Sequence, residues 1–408
     1  MKEKKVPLLN LNLRWFLLAM VLANIAGQMA YSMMSLYLLD LGANVGQVSL
    51  VFTLASLVPM VLQIFGGWFS DTVGRLRAIA IGSAISVFGY ILFFVSPSWE
   101  WVMLGLSVEY ISSAFVAPSF SAYIAEESDS SIRGRVYGVT SGIYMVVTVI
   151  GPSLAGFLAY RFNFRNMLLV AFFFYLAATL VRLWMGFSER FKPAVAPQKP
   201  TLSGLKVQLK AMFGLLFAGG ILTWIWVTDA VSDTSFNLIG ELFPIYLSKI
   251  GKLTFEQIGL LGSAWGIASI LGSFLGGWLT DKRSERTMIT GGFALITLGL
   301  VANVLALSPI GFLFARVLGG LGVGILLPSY DSLVSKSVPE DKRGLAFGFF
   351  GTSLGILSLP MPWIGAQLWE KFSPQTPFWV TAIVCAITIP IAWVKFVLPK
   401  KEAEPEGE

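Results

Sequence analysis

Four polar side chains recur every fourth residue in an otherwise apolar stretch of the chain: Asp229, Asp233, Asn237 and Glu241. On a helix that spacing is one stripe, drifting slowly around the axis and about 18 Å from end to end. No basic residue shares the stretch before Lys249. Asp229 and Asp233 come nearest its middle, Glu241 lies close to its end. Two carboxylates one turn apart in a low dielectric resist being ionised together, because desolvation and like charge both oppose the second charge. One can then hold a proton until water or a cation arrives, which is what proton coupling requires. Paired instead with polar groups on neighbouring helices, the same acids would be structural.

Other residues could join them. Aligning Tyr37-Leu38 with Tyr246-Leu247 sets Asn24 opposite Asp233 and makes Asn24 and Gln28 a matching polar pair. Tyr137, Ser141, Tyr144 and Thr148 are spaced as one helix face. Tyr31, Trp224 and Trp226 add aromatic surface. Such a wall with nearby acids suits bulky apolar or cationic compounds, through stacking and cation–π attraction. Glu109 is a further acid in an apolar run; it can select a cation, relay protons, or simply accept from a neighbouring Ser or Tyr. An ionisable group within a membrane span is a functional candidate by default. Arg316 is expected to pair with an acid at similar depth, such as Glu241, and Arg182 to snorkel to an interface.

The elements that must position these residues are membrane spans. The chain is 55% hydrophobic and 13% charged over 408 residues, against roughly 25% charged in soluble proteins. Runs of about 20 apolar residues cross a ~30 Å hydrocarbon slab. Twelve can be laid out: 14–39, 46–70, 76–96, 100–126, 133–160 and 164–188, then 218–248, 255–280, 287–306, 309–335, 343–369 and 376–398. The expected fold class is therefore an all-α membrane protein with 12 transmembrane helices in two pseudo-symmetric six-helix bundles. The expected domains are a bundle over 1–188, a cytoplasmic linker over 189–217 with a short surface helix from Ser203, and a bundle with a short tail over 218–408. Met1 to Lys5 is charged without a cleavable-signal pattern, so the first span is expected to be retained.

Charge placement sets the orientation. With both termini inside, inner segments hold 22 of the 29 Lys and Arg and outer loops hold five, a vote for cytoplasmic termini in an inner membrane. The net charge of +6 then belongs beside an anionic leaflet and needs no nucleic acid. There is no histidine, and Cys385 is the single cysteine. That excludes an intramolecular disulfide, cysteine metal cages and Ser-His-Asp chemistry, and leaves proton handling to carboxylates. No phosphate loop, metal cluster or nucleophile constellation marks an enzyme, so no cofactor, metal or catalytic residue is expected.

The two halves repeat. Gly66-Gly67-Trp68-Phe69-Ser70-Asp71 recurs 210 positions later as Gly276-Gly277-Trp278-Leu279-Thr280-Asp281. Pro118-Ser119 and Pro328-Ser329, Arg133-Gly134 and Arg343-Gly344, and Pro152 and Pro362 keep the same offset. Paired halves of apolar runs are how many secondary transporters build a site at their interface.

With the Gly-x-x-x-Asp-x-x-Gly-Arg loop of Gly67, Asp71, Gly74 and Arg75, the chain resembles the major facilitator superfamily, in particular its 12-helix drug:proton antiporters. Thr72 and Leu76 depart from the family's loop, and the second copy keeps Gly277, Asp281 and Lys282 but has Ser284 and Glu285 where Gly and Arg would stand. The resemblance implies a cytoplasmic gate of Gly67, Asp71, Gly74, Arg75 and Asp281. It also implies an antiporter-like kinked helix, partially matched by Gly138, Gly151, Pro152 and Gly156. The family's fourth-span arginine has Leu106 in its place, with Glu109 one turn on, whereas Arg316 retains it in the second half. The reading that follows is a secondary carrier working by alternating access, exporting amphipathic or cationic small molecules against protons. Its expected partners are the substrate, protons and the lipid bilayer, and it is expected to act as a monomer. Proton-coupled uptake of a sugar or other metabolite is the rival, and a non-transporting receptor or scaffold the alternative of another class.

Overall fold

The structure is a computed structural model that describes residues 8–129, 132–188, 220–282, 284–338 and 353–397. The side chains of 58–61, 63–68, 71, 281 and 282 fall outside that description. The expected linker over 189–217 and the tail beyond residue 397 lie outside it as well.

The described chain is helical. The first half holds α1 (Leu11–Asp40), α2 (Val45–Val73), α3 (Arg75–Val95), α4 (Trp99–Glu127), α5 (Arg133–Phe162) and α6 (Phe164–Phe187). The second holds α7 (Ile221–Ile239), α8 (Leu242–Lys249), α9 (Phe255–Lys282), α10 (Glu285–Leu305), α11 (Pro309–Ser337), α12 (Met361–Lys371) and α13 (Thr376–Lys395). Among the described residues, nine helices are long and apolar enough to cross a membrane.

The 210-residue offset extends to the helix ends. Adding 210 to the bounds of α3 and α4 gives those of α10 and α11. The caps repeat too. Asn44 and Gln47 form a capping box at the start of α2, and Thr254 and Gln257 exchange the same two bonds at the start of α9, at 3.0 and 3.3 Å. Behind the repeated loop, Ser119 donates to Ser70 at 2.7 Å, and Ser329 and Thr280 stand 3.0 Å apart in the second half. The two loops differ at one backbone position. Gly74 turns the chain at φ +94°, a conformation that favours glycine, whereas Ser284 has φ −73°. The second copy of the loop therefore has no need of the glycine it lacks.

Two of the expected spans are interrupted. The run over 218–248 divides into α7 and α8 at Gly240-Glu241, where Pro244 has no N–H to give the Gly240 carbonyl. Glu241 thus sits at a break rather than on one continuous stripe. The run over 343–369 turns at 359–360, on the first of the prolines Pro360 and Pro362, and α12 starts at Met361; residues 343–352 lie outside the described residues.

The halves meet along two equivalent crossings, α5 on α9 and α2 on α12, with α1 on α8 beside them. At the first, an added Cβ on Gly156 would collide with the Phe255 carbonyl, and one on Gly259 with the Pro152 carbonyl. The backbones touch there without intervening side chains. Ser153 and Ser263 bond across it at 2.6 Å, and Ser263 also donates to the Val149 carbonyl. Phe164 packs on Phe255 with ring centroids 4.7 Å apart. At the second, Gly46 N–H donates to Glu370 at 2.9 Å. These contacts lie toward the end of the bundle opposite the Arg75 loop, from its rim down to Thr148 and Gly266 near mid-depth.

Candidate functional site

Glycine decides where Glu109 points. On the α3–α4 crossing, a Cβ added to Gly89 would come within 2.9 Å of the Gly105 carbonyl, and one on Gly105 within 2.8 Å of the Phe93 ring. That close approach lays Glu109 against Gly89 and turns its carboxylate to α1, where Tyr31 donates its hydroxyl to Oε2. Tyr31 in turn stacks on Tyr110, ring centroids 6.0 Å apart. Of the readings open for Glu109, the tyrosine bond is thus present.

This bond lies in the wall of a cavity of about 240 Å³ inside the first half. Helix α1 contributes Asn24, Gln28 and Tyr31, α4 contributes Glu109, and α5 contributes Tyr144. Asn24, Gln28, Tyr31, Glu109 and Tyr144 thus share one space, while Tyr137, Ser141 and Thr148 do not line it; Tyr137 donates to the Ser121 carbonyl and Thr148 to the Met145 carbonyl. Asn24 commits its amide N–H to the Met20 carbonyl at 2.8 Å, leaving its carbonyl oxygen uncommitted to that bond. Gln28 is fixed by Gly151, where an added Cβ would strike the Gln28 side chain. Gly151 thus serves the α1–α5 contact, while Pro152 and Gly156 serve the crossing to α9. Gly138 has open space around its Cα, and α5 runs through Pro152 as one helix.

Two tyrosines of the cavity escaped the sequence reading, and the arginine beside them lies elsewhere than expected. Tyr90 of α3 and Tyr175 of α6 stack with centroids 4.5 Å apart and planes 19° from parallel. Arg182 does not snorkel; it is 6% exposed, lines the cavity, and donates to Ser83 at 2.8 Å. Its signal in the sequence was a cation inside the apolar run, five residues short of the end of α6.

The second half divides its acids. Asp233 accepts from Ser358 at 2.6 Å and from Asn237 at 3.3 Å, and Asn237 also reaches the Asp233 carbonyl at 2.9 Å. Together with the Trp226 bond to Ser353 at 2.8 Å, this ties α7 to the helical segment 353–358. Asp229 has no hydrogen-bond partner among the described residues and lies within electrostatic reach of Asp233 and of Asp331 on α11. Asp331 was missed because it falls near the end of its span. Asn24 lines the first-half cavity and Asp233 does not. Arg316 makes no ion pair with Glu241 among the described residues. Its guanidinium lies 4.2 Å over the Phe243 ring and 5.7 Å from that of Trp265, with its Nε buried and unbonded.

At the repeated loop, Arg75 donates to Glu126 at 3.1 Å and to Ser70 at 3.0 Å. The side chains of Asp71 and Asp281, and that of Gly67's neighbourhood, lie outside the described ones. In the second half Glu285 stands in Arg75's place and accepts from Lys336, which stands in Glu126's place, and from Ser332 at 3.1 Å. The ion pair is kept with its charges exchanged.

Comparison with known proteins agrees with this architecture. The chain matches the family model of the Major Facilitator Superfamily over residues 16–252 and 225–408. It is 27% identical over 398 residues to the multi-drug resistance efflux pump PmrA of Streptococcus pneumoniae, covering 95% of this chain and 96% of that one. It is 24% identical over 395 residues to the multidrug resistance protein MdtG of Yersinia enterocolitica, covering 92% and 90%. Among solved structures, a bacterial homologue of the iron transporter ferroportin, in its inward-facing state, shares the fold with a TM-score of 0.77 at 14% identity, over 94% of this chain and 98% of that one. A bacterial homologue of the lysosomal transporter Spinster, inward-facing and unoccupied, gives 0.74 at 14% identity, over 94% and 96%. Matched by the family model from residue 16 to residue 408, the chain belongs to the major facilitator superfamily and is a multi-pass membrane transporter of small molecules, not an enzyme.

Proposed function

We infer that this transporter exports amphipathic, cationic small molecules in exchange for protons, across a cytoplasmic membrane with both termini inside. The observation that carries this reading is the first-half cavity, where the Glu109 carboxylate sits on Tyr31 among stacked tyrosines. The relatives named as a multi-drug resistance efflux pump and its homologue support the direction and the substrate class. With the basic loops cytoplasmic, the contacts between halves lie toward the outside, an inward-facing arrangement. The units are bundles over 1–188 and 218–408 joined by a linker over 189–217, acting as a monomer.

A carboxylate can serve either a cation or a proton, and exchange follows from that competition. Ionised Glu109 holds the cationic group while tyrosine rings take the apolar body. When the halves rock and the cavity meets the outside, a proton takes the carboxylate and the cation leaves. On return the proton is released to the cytoplasm. Asp229, unbonded beside Asp233 and Asp331, is the second proton carrier, while Asp233 and Asn237 hold α7 in place. Gly67, Asp71, Gly74, Arg75 and Asp281 form the cytoplasmic gate.

The test uses proteoliposomes with an imposed pH gradient and a fluorescent lipophilic cation, comparing wild type with Glu109→Gln. Gradient-driven movement that falls at least about tenfold in the variant is expected, the scale of a lost charge-assisted contact. No movement by the wild type would remove cation export and turn attention to metabolite uptake or a non-transporting role. Movement unchanged in Glu109→Gln would take the coupling out of this cavity.

A further inference from the structure

The cavity holds a cation as well as an acid, and the two are kept apart. Glu109 is tied to Tyr31 on α1, and Arg182 to Ser83 on α3. The stacked pair Tyr90 and Tyr175 shares the wall with both. Had Glu109 and Arg182 been in contact, each would have spent its charge on the other. Arg182 is instead nine-tenths buried at the cavity wall, and a guanidinium carries five donors in a fork shaped for carboxylate. A plain cation bound at Glu109 would leave that buried positive charge unanswered nearby. Resting on the reading of the cavity given above, we propose that Arg182 sets substrate specificity: the preferred compound carries a carboxylate or similar acceptor for Arg182 across a ring from the cationic group that meets Glu109. The substrate class is a small aromatic zwitterion. A space of about 240 Å³ accommodates one substituted ring, or one end of a larger molecule.

A matched pair of permanently charged probes tests this. Benzyltrimethylammonium and its 4-carboxy derivative differ only in the acceptor across the ring. Equilibrium dialysis of each radiolabelled probe against the purified full-length protein should show the carboxylated probe bound roughly tenfold more tightly or better, the scale of a hydrogen bond to a charged group. Arg182→Gln should abolish that preference while binding of the plain cation survives, and Arg182→Lys should keep part of it. Glu109→Gln should weaken both probes. Equal or weaker binding of the carboxylated probe by the wild type overturns the proposal while leaving cation binding at Glu109 intact, and needs no variant to fold. A preference that persists in Arg182→Gln also overturns it. Failure of both probes to bind in a Glu109-dependent way would sink the reading of the cavity itself.

Discussion

Glu370 of α12 accepts a hydrogen bond from the Gly46 N–H at 2.9 Å, so a carboxylate of one half closes the first turn of a helix in the other. The first N–H groups of α2 have no intrahelical partners and carry partial positive charge. An added Cβ at position 46 would stand 3.1 and 3.2 Å from the two carboxylate oxygens and push the carboxylate back by a few tenths of an ångström. Glu370→Gln removes the charge and Gly46→Ala crowds it. Each should lower occupancy of the arrangement closed at this end by about two- to fivefold, the 0.3–1 kcal/mol typical of a charge at a helix terminus. Electron–electron distance measurements between spin labels at Phe162 and Leu260, 58% and 55% exposed, would read the shift. Unchanged distance distributions would remove the latch.

A larger effect is expected at the Gly156–Gly259 crossing. There the obstacle to a Cβ is backbone on a facing helix, which cannot rotate away. Gly156→Leu should leave a folded protein that cannot close at this end, with transport reduced at least about tenfold and the same label pair held at its longer distance. Overpacking of this kind costs roughly 1–3 kcal/mol. Normal transport by Gly156→Leu would show that the crossing opens without cost.

The acids of α7 should separate in function. Asp233→Asn keeps an oxygen able to accept from Ser358, and transport should stay within about threefold of wild type. Asp229→Asn removes an acid with no such bond, and gradient-driven transport should fall at least about tenfold. Initial rates in proteoliposomes decide the matter; the reverse ranking would move the coupling to Asp233.

The exchanged ion pairs predict a rescue. Glu285 is 7% exposed on its side chain, while Lys336, Arg75 and Glu126 are more open to solvent, so screening limits each pair to about 1 kcal/mol or less. Glu285→Lys should lower the midpoint of thermal unfolding by about 2 °C. Adding Lys336→Glu should restore it. No recovery in the double variant would mean that the pair contributes only through its surroundings.

The repeat was legible because the two loops keep Gly-Gly-Trp, a hydroxyl and an acid at one offset, and the helix caps follow them: Asn44 and Thr254, Ser98 and Ser308. Glu109 and Tyr31 were each visible as polar residues in apolar runs. Their bond was not, because it depends on how closely α3 approaches α4 at Gly89 and Gly105, a tertiary distance no single span encodes. Arg182 was misplaced for a related reason. Hydropathy fixes depth but not azimuth, and a cation near a helix end can face lipid headgroups or, as here, a tyrosine-lined interior. The break in the seventh span did have a local signature. Gly240 followed four residues later by Pro244 removes a hydrogen bond at that point, and the periodic stripe of acids obscured it.

The two crossings between the halves are related by the repeat and yet differ in character. One brings backbone against backbone at Gly156 and Gly259, braced by the Ser153–Ser263 bond and the Phe164–Phe255 rings. The other is held at its rim by one carboxylate on one helix end. Opening at this end must both release the Gly46–Glu370 catch and unseat the Gly156–Gly259 crossing, so the halves are fastened along two seams like a lid with two clasps.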